Sequence, residues 1–171
     1  MKARFALFAL GVMLLLAGAA LWLGLPADRH TRITLADAAT GRTIAAALLA
    51  DGEPVVLTWR NSLFDLDVTE VYLARGGRLI QEEVTFADPR GRPPPVVTAK
   101  EVEEFYHTGG PFSARGLDKP FTRVVYRVSA VGNPRLTFHE KVVDFKQEVG
   151  FGGAVLLTAA PITRLELFWR Y

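Results

Sequence analysis

The residues best suited to chemistry lie where an apolar run gives way to polar side chains. Trp59-Arg60-Asn61-Ser62 leads on to Asp65, Asp67 and Glu70. Asn61 and Ser62 offer donors and acceptors, and Glu70 offers a charge partner. The stretch therefore reads as a strand end that contacts an organic ligand. Two other readings stay open. Asp65, Asp67 and Glu70 could supply oxygen ligands to calcium, although the glycine and longer ligand series of the standard calcium loop are missing. The stretch could equally be a polar turn capped by its own side chains.

A second patch is Phe105-Tyr106-His107-Thr108-Gly109-Gly110-Pro111-Phe112. Histidine is the side chain that changes charge near neutral pH, and glycine lets a backbone approach a partner. The same residues also read as a helix C-terminus with Gly109 as its stop. A Ser62–His107–acid triad has no support from spacing, because there is no Gly-x-Ser-x-Gly elbow. A third patch, Glu148-Val149-Gly150-Phe151-Gly152-Gly153, has glycines but no following Lys-Ser/Thr, so it reads as a hairpin or bulge rather than a phosphate loop. His30, His107 and His139 lack metal-ligand spacing. The absence of cysteine removes disulfides, thiolate metal sites and a cysteine nucleophile. No metal, no cofactor and no catalytic residue is expected. The expected ligand-binding set is Trp59, Asn61, Ser62, Glu70, Tyr106 and His107. The polar members should converge, with Trp59 and Tyr106 as the apolar walls a small-molecule site needs.

The elements that must position this set read mainly as β. Arg32–Leu35 is a short strand, and Thr43–Ala50 is strand or helix because its alanines favour helix. Val55–Trp59 is β-branched and aromatic and reads as a central strand. Val68–Ala74 and Arg78–Phe86 form a hairpin about Gly76-Gly77, a pair suited to the positive φ of tight turns. Alternation in Arg78–Phe86 is imperfect, which points to a half-exposed strand. Ala87–Val97 carries four prolines and reads as a crossing loop. Thr98-Ala99-Lys100-Glu101 has the capping-box pattern, predicting a short helix over about 99–106. Strands are expected at 122–130, 135–145, 154–159 and 163–171, the last tying the aromatic C-terminus into the sheet. The sum is an antiparallel β-sandwich or open barrel of about eight strands with one short helix.

Ahead of this domain, Phe5–Leu25 is a run of 21 residues without a charged side chain. As a helix it spans about 31 Å, close to the roughly 30 Å of bilayer hydrocarbon. Lys2 and Arg4 precede it, which favours the N-terminus inside and the domain outside. Residues 1–27 are therefore expected to be a transmembrane anchor, and residues 28–171 an extracytoplasmic domain at the cytoplasmic membrane. The alternative is a signal peptide cleaved near Ala17-Gly18-Ala19, which would leave a secreted or periplasmic domain. The 146 residues after the run suffice to bury roughly 68–70% of their unfolded surface. Without Lys2 and Arg4 the chain holds 18 basic and 18 acidic residues, so its basic character belongs to the anchor. No basic stripe remains to meet a phosphate backbone, and nucleic acid is not an expected partner.

The segment Trp59–Gly91 resembles an uncharacterised bacterial family of small extracytoplasmic β proteins with an N-terminal hydrophobic helix. Members are encoded beside, or fused to, TRAP transporter permeases of the type that uses TAXI solute-binding proteins. The resemblance rests on an aromatic strand running into a His-Ser pair, an acidic residue about nine positions on, and a Gly-containing turn after the next strand. Here Trp59, Asn61-Ser62, Glu70, the strand Leu79–Phe86 and Gly91 follow that order. Asn61 stands where the family has His, and the turn reads Asp88-Pro89-Arg90-Gly91 in place of Gly-x-Gly. The resemblance implies a transporter permease or solute-binding protein as partner. The expected function is thus a non-enzymatic, membrane-anchored binding or accessory protein; the alternative is a periplasmic or cell-surface hydrolase using Ser62 or His107.

Overall fold

The computed structural model describes residues 2–168, with side chains described outside 2–10, 26–28 and 168. A helix, α1 (Lys2–Gly24), opens the chain, and one residue, Leu25, separates it from the first strand. Among the described residues no helix is long and apolar enough to cross a membrane; the α1 side chains described begin at Gly11.

The rest is mainly β. β1 (Pro26–Asp37), β2 (Thr43–Ala50), β10 (Ala154–Thr163) and β7 (Arg123–Arg127) form an antiparallel sheet in the order β2-β1-β10-β7. β3 (Pro54–Asn61), β4 (Leu66–Arg75), β5 (Arg78–Phe86), β6 (Phe112–Phe121), β8 (Arg135–Phe138) and β9 (Lys141–Asp144) form a second, ordered β6-β5-β4-β3-β8-β9. The inward residues of both sheets share one core. Ile33, Leu35, Leu49 and Leu157 come from the first sheet, and Val55, Leu57, Leu136 and Phe138 from the second. This is the sandwich arrangement. The four-stranded layer does not cover the whole six-stranded sheet. The helix α2 (Val102–Thr108) packs on the remainder, where Leu66, Val68, Val84, Phe86, Val102 and Phe112 make a second cluster.

Among the described residues ten strands form, not about eight, and each difference has a local cause. Phe112–Phe121 was not expected to be a strand. It pairs with β5 across an irregularity that places Gly116 and Asp118 at positive φ, and these break its alternation. The expected strand over 135–145 is a hairpin, because His139 adopts φ 49° and turns the chain between β8 and β9. β10 runs straight through Pro161. A missing N–H is tolerated there because β7 pairs β10 only over Ala154–Thr158, so no strand carbonyl is left waiting for a donor at Pro161.

One short helix was expected after α1; among the described residues three are present. α3 (Phe145–Val149) is capped by Asp144, whose side chain accepts from Gln147 N at 3.1 Å. α4 (Arg164–Phe168) replaces the expected last strand. Thr163 and Glu166 cap it reciprocally, with Thr163 N donating to Glu166 Oε2 at 2.8 Å and Glu166 N to Thr163 Oγ1 at 3.3 Å. The rest of that expected strand, 169–171, lies outside the described residues. Only half of the Thr98–Glu101 box forms, with Thr98 N donating to Glu101 Oε2 at 2.7 Å and the Thr98 hydroxyl bonded to the same oxygen, and it makes a turn just ahead of α2.

The alanine-rich β2 is a strand. Ala45, Ala47 and Leu49 face the core at period two, and pairing with β1 overrides their helix propensity.

Candidate functional site

β3 lies between β4 and β8, but β8 accompanies it only from Val55 to Thr58. Beyond Thr58 the connection after β7 takes its place. Gly132 packs so close that an added Cβ would stand 2.9 Å from the Arg60 carbonyl oxygen. Ser129 Oγ accepts from Gly132 N at 2.8 Å and holds that connection in shape. Between the strand end and this connection is a cleft of about 290 Å³. Trp59, Asn61, Ser62 and Leu63 line one wall, and Arg127, Ser129 and Pro134 line the other.

The turn from β3 to β4 is shaped by its own side chains. Asn61 Oδ1 accepts from Leu63 N at 2.9 Å and Phe64 N at 3.1 Å, the arrangement Asn favours in turns. Arg60 donates to Asp65 Oδ1 at 3.0 Å and Asp67 Oδ1 at 2.9 Å. Those two bonds hold the Arg60 guanidinium above its ordinary pKa, the Asp67 bond contributing most. The calcium reading fails on strand geometry. Asp67 is on the exposed face of β4 and Glu70 on the buried face, so they cannot share an ion. Among the described residues no group of three or more potential metal ligands occurs.

Glu70 is buried, with 9% of its surface exposed, at the seam between the two clusters. Leu57 and Val84 are its cross-strand neighbours. Its carboxylate accepts from Trp59 Nε1 at 2.9 Å, from Gln81 Nε2 at 3.1 Å and from the Tyr72 hydroxyl. The Tyr72 hydroxyl also lies 3.2 Å from that of Tyr126 on β7. A buried carboxylate without a cation is costly unless donors saturate it, and here three neutral donors converge on it. Burial first, and the Glu70 charge second, push the Tyr72 hydroxyl far above its ordinary pKa. Tyr126 is raised as well, chiefly by burial. Burial and then the Glu70 charge push Tyr106 up to about 12.

The structure thus distributes the six expected residues over three places. Trp59, Asn61 and Ser62 line the cleft. Glu70 is behind it and fixes the Trp59 indole through Nε1. Tyr106 belongs to an aromatic group, 5.5 Å from Phe86 and 6.0 Å from Phe112. His107 projects into solvent, 3.6 Å from Glu103, one helical turn before it. The turn after β3 and the end of α2 are nonetheless adjacent. The Phe64 ring packs on Gly109, at φ 77°, where any Cβ would collide with it.

Sequence reasoning missed Gln81, Tyr72, Tyr126, Arg127 and Ser129. For Gln81 the signal was present. The broken alternation of Arg78–Phe86 marks a register shift between Gln81 and Glu83. That shift puts Leu79 and Gln81 on the same face as Val84 and Phe86, and so aims Gln81 at Glu70.

Comparison with protein-family models, curated proteins and solved structures finds no match to this chain.

Proposed function

We propose that the chain is a non-enzymatic, single-pass membrane protein whose extracytoplasmic β domain binds a small ligand in the cleft beside β3. The observation that carries this reading is the cleft itself. It has an aromatic wall set by a partly buried hydrogen bond, and among the described residues no general base is hydrogen-bonded to Ser62. A nucleophilic serine needs a base within about 2.6–3.2 Å. Among the described residues the only ion pair of His107 is with Glu103, on its own helix. Both facts favour binding over the hydrolase alternative.

The anchor reading draws support from the run Phe5–Leu25 and from the helical backbone of α1. At 23 residues, α1 is about 34 Å long, comparable to the roughly 30 Å of bilayer hydrocarbon. Its foot is tied to the domain. Arg164 N donates to the Leu25 carbonyl at 3.0 Å, and the Arg164 guanidinium lies 4.7 Å from the Trp22 ring centroid. A cation over an indole face contributes about 0.5–1 kcal/mol at an exposed site. The resemblance of Trp59–Gly91 supports a role as accessory to a TRAP-type transporter, with the permease or its solute-binding protein as partner.

The test is fractionation and protease treatment of spheroplasts. The full-length chain, with residues 1–19 intact by mass spectrometry, should stay with membranes through alkaline carbonate extraction. Its domain should be digested by protease added from outside. Release by carbonate, loss of residues 1–19, or protection until the membrane is breached would each count against this reading.

A further inference from the structure

We propose that the β3 cleft takes a small organic monoacid, with the ligand carboxylate on Arg127 and its apolar body against Trp59. The inference rests on reading the domain as a ligand-binding module. At about 290 Å³ the cleft is at the lower end of small-molecule sites, which run from about 300 to 1,000 Å³. Its lining contains two arginines and no carboxylate. One of those cations is already engaged, since Arg60 gives its guanidinium to Asp65 and Asp67. Arg127 is exposed at the end of β7, and no carboxylate lies within ion-pair distance of it among the described residues. A guanidinium presents a planar fork of donors that matches a carboxylate.

The neutral groups agree. Asn61 Oδ1 is committed to two backbone N–H groups, which leaves its amide NH₂ to donate. Ser129 is turned to its own loop, its Oγ accepting from Gly132 N at 2.8 Å and donating to the Gly132 carbonyl at 3.5 Å. Trp59 has given its N–H to Glu70, so it offers only ring surface. The Arg127 guanidinium and the Asn61 amide are thus donors facing the cleft, the Ser62 hydroxyl can donate beside them, and the aromatic wall is apolar. A single open cation, with Asp65 and Asp67 close to Arg60, favours a monoanion over a phosphate dianion.

Three probes of one shape separate the possibilities. The intact chain in detergent micelles is titrated with benzoate, benzyl alcohol and benzylamine, following the indole N–H resonance assigned to Trp59 by W59F. Benzoate should shift that resonance saturably. A charge-assisted pair is stronger than a neutral hydrogen bond by enough that benzyl alcohol should bind about tenfold more weakly, or less well still. Benzylamine should not bind. R127Q, a change at an exposed position, should weaken benzoate by about the same factor and benzyl alcohol much less. Benzylamine matching benzoate, or benzoate binding unaltered in R127Q, would overturn the monoacid assignment while leaving the cleft as a binding site. If none of the probes moves the Trp59 resonance, the assignment and the binding-module reading fall together.

Discussion

At the residue scale the governing fact is the position of Glu70. On a strand whose buried face otherwise carries Leu66, Val68, Tyr72 and Ala74, a carboxylate persists only because three donors reach it. Two consequences can be measured. Glu70→Gln leaves an acceptor for Trp59 but turns an NH₂ toward Gln81 or Tyr72, so one or two buried donors lose their partner. A loss of about 1–3 kcal/mol is expected in denaturant unfolding. Trp59→Phe keeps the aromatic body and removes one donor, and should cost a similar amount. The double variant should cost less than the sum, because the Trp59 bond that Trp59→Phe removes is the one that Glu70→Gln has already weakened from charge-assisted to neutral. Strict additivity would mean that Glu70 and Trp59 are independent. Asn61 provides a contrast, since it caps two backbone groups in an exposed turn. It was legible as a polar turn residue from type alone. The burial of Glu70 was not legible, because its partners come from three other positions, one of them aimed by a bulge.

At the element scale the hairpin between β4 and β5 shows how much a short motif specifies. Gly76 and Gly77 have φ 54° and 78°, as the Gly-Gly pair predicted. Their surroundings separate them. A Cβ on Gly76 meets nothing within 4 Å, whereas one on Gly77 would overlap the Pro161 backbone. Gly77 N also donates to the buried Thr31 Oγ1 at 2.9 Å, which ties the hairpin of one sheet to β1 of the other. Gly76→Ala should cost about 1–2 kcal/mol for the left-handed backbone. Gly77→Ala adds a steric term of about 1–3 kcal/mol. Equal midpoints in urea for the two variants would show that the Pro161 contact carries no energy. The hairpin, the central β3, the irregular course of the proline-rich segment and the Gly109 stop were readable because each depends on neighbouring residues; that the segment joins the adjacent strands β5 and β6 instead of crossing was not. β6 was hidden because Gly116, Asp118 and Pro120 resemble a loop, and only the partner strand makes them a strand. α4 was hidden for the opposite reason. Its Thr163-x-x-Glu166 box was in plain sight, but the aromatic, β-favouring composition around it argued for a strand.

At the scale of the whole molecule, the core carries a polar seam of Glu70, Tyr72 and Tyr126, which sets the alkaline limit of the sandwich, while two peripheral carboxylates set the acid limit. The alkaline side follows from Tyr72 and Tyr126. Their hydroxyls are 3.2 Å apart, and both are pushed above the ordinary tyrosine pKa, mainly by burial. A raised pKa means the folded state keeps the phenolic proton more tightly than the unfolded chain does. That contribution is complete below the unfolded value of about 10 and is lost as pH rises past it. The acid side follows from Glu53 and Asp144. Burial acts to raise both, and hydrogen bonds outweigh it, so both are lowered overall. Ala50 N and His139 supply the bonds for Glu53; Arg135, Asn133 and Gln147 N supply those for Asp144. Stability from these two groups is present above the unfolded carboxylate value, about 4, and fades as pH falls below it. A plateau is therefore expected between about pH 5 and 10. The phenolate absorbance of Tyr72 and Tyr126 should appear only together with loss of the β circular dichroism signal. Tyr126→Phe removes one of the two buried hydroxyls and leaves all three donors of Glu70 in place. Its stability should therefore fall less steeply above pH 10 than that of the parent, while the acid limb stays where it was. Ionisation of Tyr72 and Tyr126 near pH 10 with the sheet signal intact would mean that the seam admits water and that the two layers are not closed over it.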